Sequence, residues 1–297
     1  MGNESDMTNA YNGHTTPTIY ASNVEQFIAN MRQYEANVRT IVNASTASGW
    51  NIVNSTTGNG IVVHSYPIYD FPANNQYTTA NAYYSQYANW DYNGLPWPNS
   101  VINYSSVIRT ALNNITKPLF LTETGVPDFS AYAGLGGWPL KNDTARMVLL
   151  VDMYISQAPL VPECWAIWTT RWKDASISSG GLLGVLDDYN EFLPTGWAFY
   201  ALSQYTKDGG VIHECSSMNQ AVKISSITGS KSKVLILNKS ASQATCEISG
   251  SNEFTSGRVF YGNNNDSQIV RHSAASPTFV SGITRVVVPC LSITILE

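Results

Sequence analysis

Lys117-Pro118-Leu119-Phe120-Leu121-Thr122-Glu123-Thr124-Gly125 is the stretch on which the reading of the fold turns. The lysine-proline pair halts any preceding helix, because proline lacks an N–H and disfavours helical backbone in the residue before it. Leu119 to Thr122 then form a short apolar run bounded by turn residues, as a strand buried on both faces of a parallel sheet should look. Its end carries a carboxylate, Glu123, after which Gly125 and Pro127 turn the chain into a loop. A carboxylate there costs free energy unless it is hydrogen-bonded or used in chemistry. Taken alone it reads as readily as a strand-end glutamate facing solvent. The rest of the chain decides.

Upstream, Ser22 and Glu25 form a capping-box pair, and Val24, Phe27, Ile28, Met31, Tyr34, Val38, Ile41 and Val42 recur at helical spacing. They predict a helix from about Asn23 to Ala44. Asn51–Asn54 is a candidate short strand and Gly60–Tyr66 (GIVVHSY) a stronger one. A helix is expected over about Ser100–Asn113. Downstream follow a helix over Asp143–Gln157, a buried strand over Cys164–Thr169 and a helix over Pro194–Thr206. This alternation is the pattern of parallel βα units. After Asp208-Gly209-Gly210 the texture changes to short β-branched segments: Gln220–Ile227, Lys233–Asn238, Thr245–Ser249, Arg258–Tyr261 and Arg285–Leu296. They predict an antiparallel sandwich over 209–297, after a βα domain over 1–208.

The chain has 297 residues, 12% of them charged, with a formal net charge of -5, which argues against nucleic acid or an anionic membrane as partner. No apolar run approaches the roughly 20 residues that cross a bilayer. Asn, Ser and Thr supply the surface polarity instead, as in many secreted proteins, so an extracellular location is expected. Asn-X-Ser/Thr sites occur at Asn3, Asn43, Asn54, Asn103, Asn114, Asn142, Asn238 and Asn265, several of which so Asn-rich a chain produces by chance. Cys164, Cys215, Cys246 and Cys290 fit no metal spacing, and no metal or cofactor is expected. A disulfide among the last three is expected, with Cys164 a buried free thiol.

The chemistry-bearing residues form a set in chain order. Asn3-Glu4 and Glu123 are carboxylate positions at strand ends, His64 and Tyr66 form an H-x-Y strand end between them, and Trp168 and Trp172 follow the last parallel strand. The order G-N-E, H-x-Y, T-E-x-G, W-x-x-x-W and then GLLGVLDDYNEFLPTGWAFYAL resembles clan A of the retaining glycoside hydrolases, which are (β/α)8 barrels with a C-terminal β-sandwich. The closing strand Val287–Leu296 is similar to the last sandwich strand of that clan. The resemblance implies Glu4 as acid/base, Asn3 as the residue binding the hydroxyl next to the reacting carbon, and Glu123 as nucleophile. It implies Tyr66 as a hydrogen-bond partner of Glu123 and Trp168 as a sugar platform, with an oligo- or polysaccharide as substrate. His64 is either on the catalytic face or a satisfied core residue. Trp172 and Trp90 are either subsite walls or core.

Members of the clan have strands 1 to 3 before the Asn-Glu pair, whereas here Met1 and Gly2 precede it. The expected architecture is therefore a partial barrel, from the end of strand 4 through helix 8, followed by the sandwich, with little activity expected of these 297 residues alone. A non-catalytic protein that still holds sugar on its aromatics is the competing function. A chain that does not fold stably by itself is a third.

Overall fold

The structure, a computed structural model, describes residues 17–44, 47–65, 115–124, 144–158, 162–167, 184–186, 189–219, 221–240, 242–250, 253–263 and 266–297. The chain forms two compact units. In the first, strands β1 (Ile41–Asn43), β2 (Gly60–Ser65), β3 (Leu119–Thr124) and β4 (Cys164–Ile167) make a parallel sheet in that order, accompanied by helices α1 (Pro17–Tyr34) and α2 (Ala47–Asn54).

Register decides which side chains face the helices. Partners in a parallel pair point to the same side, so Val42, Ile61 and Leu119 form one rung and Val63, Leu121 and Trp165 the next. These rungs close against Tyr20, Val24 and Ile28 of α1 and Val53 of α2 in one core, with Trp165 partly buried. Burial of a side chain of this size stabilises by about 1.5–3 kcal/mol. Lys117 turns back to the end of α2, donating to Val53 O at 3.3 Å and to Thr56 O. A cation there meets the negative end of the helix and adds a donor to Val53 O, which also accepts from the Thr56 N–H and Oγ1. Burial pushes the Lys117 ammonium down from the usual lysine range, with Glu25 opposing.

The expected helix Asn23–Ala44 is corrected at both ends. Pro17 pre-sets helical φ at the first position, so α1 has begun before Ser22 and Glu25 can act as a cap. Glu25 instead accepts from Thr57, its Oε2 lying 2.9 Å from Thr57 Oγ1 and its Oε1 taking the Thr57 N–H. The helix stops at Tyr34, and Ile41-Val42-Asn43 pair with β2. Asn51–Asn54, expected as a strand, ends α2.

The second unit contains α3 (Thr144–Gln157) and α4 (Pro194–Thr206) and two antiparallel sheets. The larger has the order β10-β9-β13-β7-β6-β5 and the smaller β11-β12-β8. Their ranges are β5 Val211–Cys215, β6 Val222–Thr228, β7 Lys233–Asn238, β8 Ala244–Ser249, β9 Gly257–Asn263, β10 Asp266–Ala275, β11 Thr278–Val280, β12 Ile283–Val288 and β13 Ser292–Leu296. Val222, Val234, Ile236 and Leu296 of the larger sheet meet Cys246, Val286 and Val288 of the smaller in a dry core. The other face of the larger sheet is covered by α3 and α4, which is why every residue of β7 and β13 is buried. The expected single strand Arg285–Leu296, and likewise Val287–Leu296, is two strands. Pro289 interrupts it, and Leu291 turns the chain with φ 44°.

All four cysteines are free, which overturns the expected disulfide, and Cys164 is half-buried rather than buried. Topology keeps the three C-terminal thiols apart. Cys215 lies on the edge strand β5, three strand spacings from β13, or about 14 Å at the usual spacing. The β8–β12 register places Cys246 opposite Val286, whereas Cys290 lies beyond the end of β12 at Val288. A disulfide needs Cα atoms within about 7 Å. Asn238 is fully buried and its amide donates to Ser242 O at 2.9 Å and Pro289 O at 2.7 Å, so its Asn-X-Ser site is a chance one.

Candidate active site

Three polar side chains meet where β1, β2 and β3 end, on the face of the sheet turned away from α1 and α2. Asn43 closes β1, His64 is the penultimate residue of β2 and Glu123 the penultimate residue of β3. His64 Nδ1 lies 3.4 Å from Glu123 Oε2, and His64 Nε2 lies 3.3 Å from Asn43 Nδ2. The imidazole is 5% exposed and the carboxylate 26%, so the histidine lies beneath and the glutamate is open to solvent.

A bulge in β3 creates this meeting. Val63, Leu121 and Trp165 share a rung, and the next shared position is Ser65 and Ile167 opposite Thr124. Two steps on β2 and β4 thus correspond to three on β3. In an unbroken strand Glu123 would point the same way as Leu121, into the helix-side core. The extra residue re-aims it to the side of His64, a use of bulges common at barrel rims and beside active sites. Leu121 stays fully buried while Glu123 emerges.

Lower on the same face, Phe120 passes close over Gly60, where an added Cβ would stand 2.6 Å from Phe120 Cε2. A side chain at position 60 would displace that ring. A cleft of about 280 Å³ lined by Val24, Phe27, Ile28 and Val42 lies on the α1 side of the sheet and includes neither His64 nor Glu123.

Of the residues expected from sequence, His64 and Glu123 are therefore brought together. Asn3, Glu4, Tyr66, Trp90, Trp168 and Trp172 lie outside the described residues. Asn43 was missed as a site residue. Its signal is a β-branched pair, Ile41-Val42, ending in a polar residue, which the helical spacing of the preceding segment conceals. Among the described residues no group of three or more His, Cys, Asp or Glu side chains gathers as metal ligands would, and no helix is long and apolar enough to cross a membrane.

No protein-family model matches this sequence, and neither does any curated protein. Solved structures do. A family 51 α-L-arabinofuranosidase from Bifidobacterium longum superposes with a TM-score of 0.66 at 14% identity, over 100% of this chain and 66% of its own. A xylanase of glycoside hydrolase family 30 subfamily 8 from Clostridium acetobutylicum gives 0.62 at 14% identity, over 99% and 64%. A 4-O-α-L-rhamnosyl-β-D-glucuronidase from Fusarium oxysporum gives 0.65 at 13%, over 100% and 69%. The chain thus spans about two thirds of the length of these neighbours. At such identities the likeness is one of fold: a mixed α/β chain with a parallel sheet and antiparallel β-sheets, built like those of glycoside hydrolases.

Proposed function

We propose that the chain is part of a retaining O-glycoside hydrolase acting on oligo- or polysaccharide. The observation that carries this reading is the β3 bulge, which turns the Glu123 carboxylate out beside a buried histidine at the C-terminal ends of parallel strands. Parallel βα proteins gather their reactive groups at those ends. In this reading β1 to β4 are the last four strands of a (β/α)8 barrel within residues 1–208, and 209–297 form its sandwich domain. The location is extracellular.

Glu123 is the nucleophile and Glu4 the acid/base. A Glu123 oxygen attacks the anomeric carbon while Glu4 protonates the departing glycosidic oxygen, leaving a glycosyl ester on Glu123. Glu4 then takes a proton from water as the water oxygen displaces the ester, with net retention. Asn3 and Tyr66 hold the sugar hydroxyl and the nucleophile, and Trp168, Trp172 and Trp90 offer flat faces to the rings.

Incubation with a panel of 2-fluoro-glycosyl reagents, whose ester intermediates turn over slowly, tests the assignment. A peptide containing Glu123 should gain the mass of the fluorosugar. Turnover with the label on another carboxylate would refute it. Glu123→Gln should lower turnover of aryl glycosides by about 10³-fold or more, the scale on which a catalytic group acting with its partners is lost. Sugar binding should survive. Unchanged turnover in that variant would sink the nucleophile role.

A further inference from the structure

We propose that Asn43 is a positioning residue that selects the Nδ1–H tautomer of His64, so that the imidazole offers Glu123 a proton rather than a lone pair. Asn43 Nδ2 carries only hydrogens to offer, so at 3.3 Å from His64 Nε2 it donates and the ring nitrogen accepts. A neutral imidazole has one N–H, and with Nε2 accepting, that proton sits on Nδ1. Nδ1 is the atom 3.4 Å from Glu123 Oε2.

The opposite tautomer would set a nitrogen lone pair against a carboxylate oxygen and an N–H against an N–H. A free histidine side chain carries its proton mainly on Nε2, so the protein has to impose the other form. The chain does so with three adjacent strands. Asn43 ends β1, β2 carries the ring with 8% of the residue exposed, and the β3 bulge turns the carboxylate toward it. A ring so buried is well placed to keep the tautomer its neighbours select, and the Nδ1–H then fixes the rotation of the Glu123 carboxylate about its last bond.

The consequence for turnover rests on reading Glu123 as nucleophile. The tautomer does not, and the experiment separates the two. The 297-residue chain, labelled with ¹⁵N-histidine, is measured by two-bond ¹H–¹⁵N correlation, and the His64 signals are assigned by their loss in His64→Gln. The parent chain should show a protonated Nδ1 and a pyridine-type Nε2. Asn43→Ala should raise the fraction of molecules protonated on Nε2, with the Glu123 carboxylate still favouring Nδ1–H in the remainder. Asn43→Asp, whose carboxylate can only accept, should place a proton on Nε2 in all of them. A protonated Nε2 with a bare Nδ1 in the parent, a measurement independent of any variant's folding, overturns the proposal, as does an unchanged tautomer in both variants. Where the parent turns over glycosides, Asn43→Ala should lower kcat about 3–10-fold at constant KM, the worth of one hydrogen bond expressed as rate. A raised KM at constant kcat would overturn the positioning role. The spectra decide the tautomer whether or not these 297 residues turn over glycosides, and a fluorosugar label on another carboxylate refutes the nucleophile reading alone.

Discussion

Lys223 Nζ lies 2.7 Å from Asp152 Oδ1, joining β6 to α3 across the helix-covered face of the larger sheet. The carboxylate is fully buried, as is Lys239, whose Nζ lies 3.6 Å from Asp152 Oδ2. Ser156 Oγ lies 2.6 Å from the Lys223 ammonium. One buried carboxylate therefore serves two cations. Removing it with Asp152→Ala should destabilise by about 3–5 kcal/mol, because it strands buried charge. Urea unfolding followed by the signal of the sheet-containing unit measures this. A loss under 1 kcal/mol, the worth of a surface pair, would show that the cluster is solvated.

Asp208 follows α4 and pairs with Lys233, its Oδ2 lying 2.5 Å from Nζ, while the same ammonium donates to Gln204 O at 2.8 Å. The hydrogen bond from Lys233 holds the Asp208 carboxyl below the usual carboxylate range. A carboxyl lowered in the folded state stabilises above its unfolded pKa, about 3.9, and loses that contribution as pH falls through the folded value. The stability difference between the parent and Asp208→Asn should therefore be constant from neutral pH to about pH 5 and vanish in strong acid. Thermal unfolding of both proteins across that range is the check, and a difference that grows toward low pH would contradict the pairing.

Gly60→Ala should push the Phe120 ring from its place over Gly60, since the new Cβ would lie 2.6 Å from Phe120 Cε2 and 3.1 Å from Ile41 Cγ2. Overpacking of this kind costs about 1–3 kcal/mol. Because the obstacle is a side chain, Phe120→Leu in the same chain should recover part of the loss. Denaturant midpoints of the two single variants and the double variant form the cycle, and simple additivity would refute the contact.

Thiol counting under denaturing, non-reducing conditions should find four reactive groups, from Cys164, Cys215, Cys246 and Cys290, with no shift in Tm on adding reductant. Two groups would restore the expected disulfide.

Local elements could be read from the chain alone. The apolar runs Leu119–Thr122 and Val234–Leu237 and the proline that opens α4 each fix an element, because the run or the stop signal lies within one stretch. Glu123 at a strand end and His64 on the neighbouring run were likewise legible. Features that depend on partners distant in sequence needed the folded chain. Ile41 and Val42 fit a helical stripe and a strand equally well, and pairing with Gly60 and Ile61 settled the matter. Lys239 reads as surface until Asp152, 87 positions earlier, is seen beside it. The β3 bulge leaves no mark in the sequence, since an extra residue exists only by comparison with the strands on either side. Yet that one residue takes the Glu123 carboxylate from the side of the buried core to the side of His64 and Asn43. Register is a relation between strands, and here it places the chemistry.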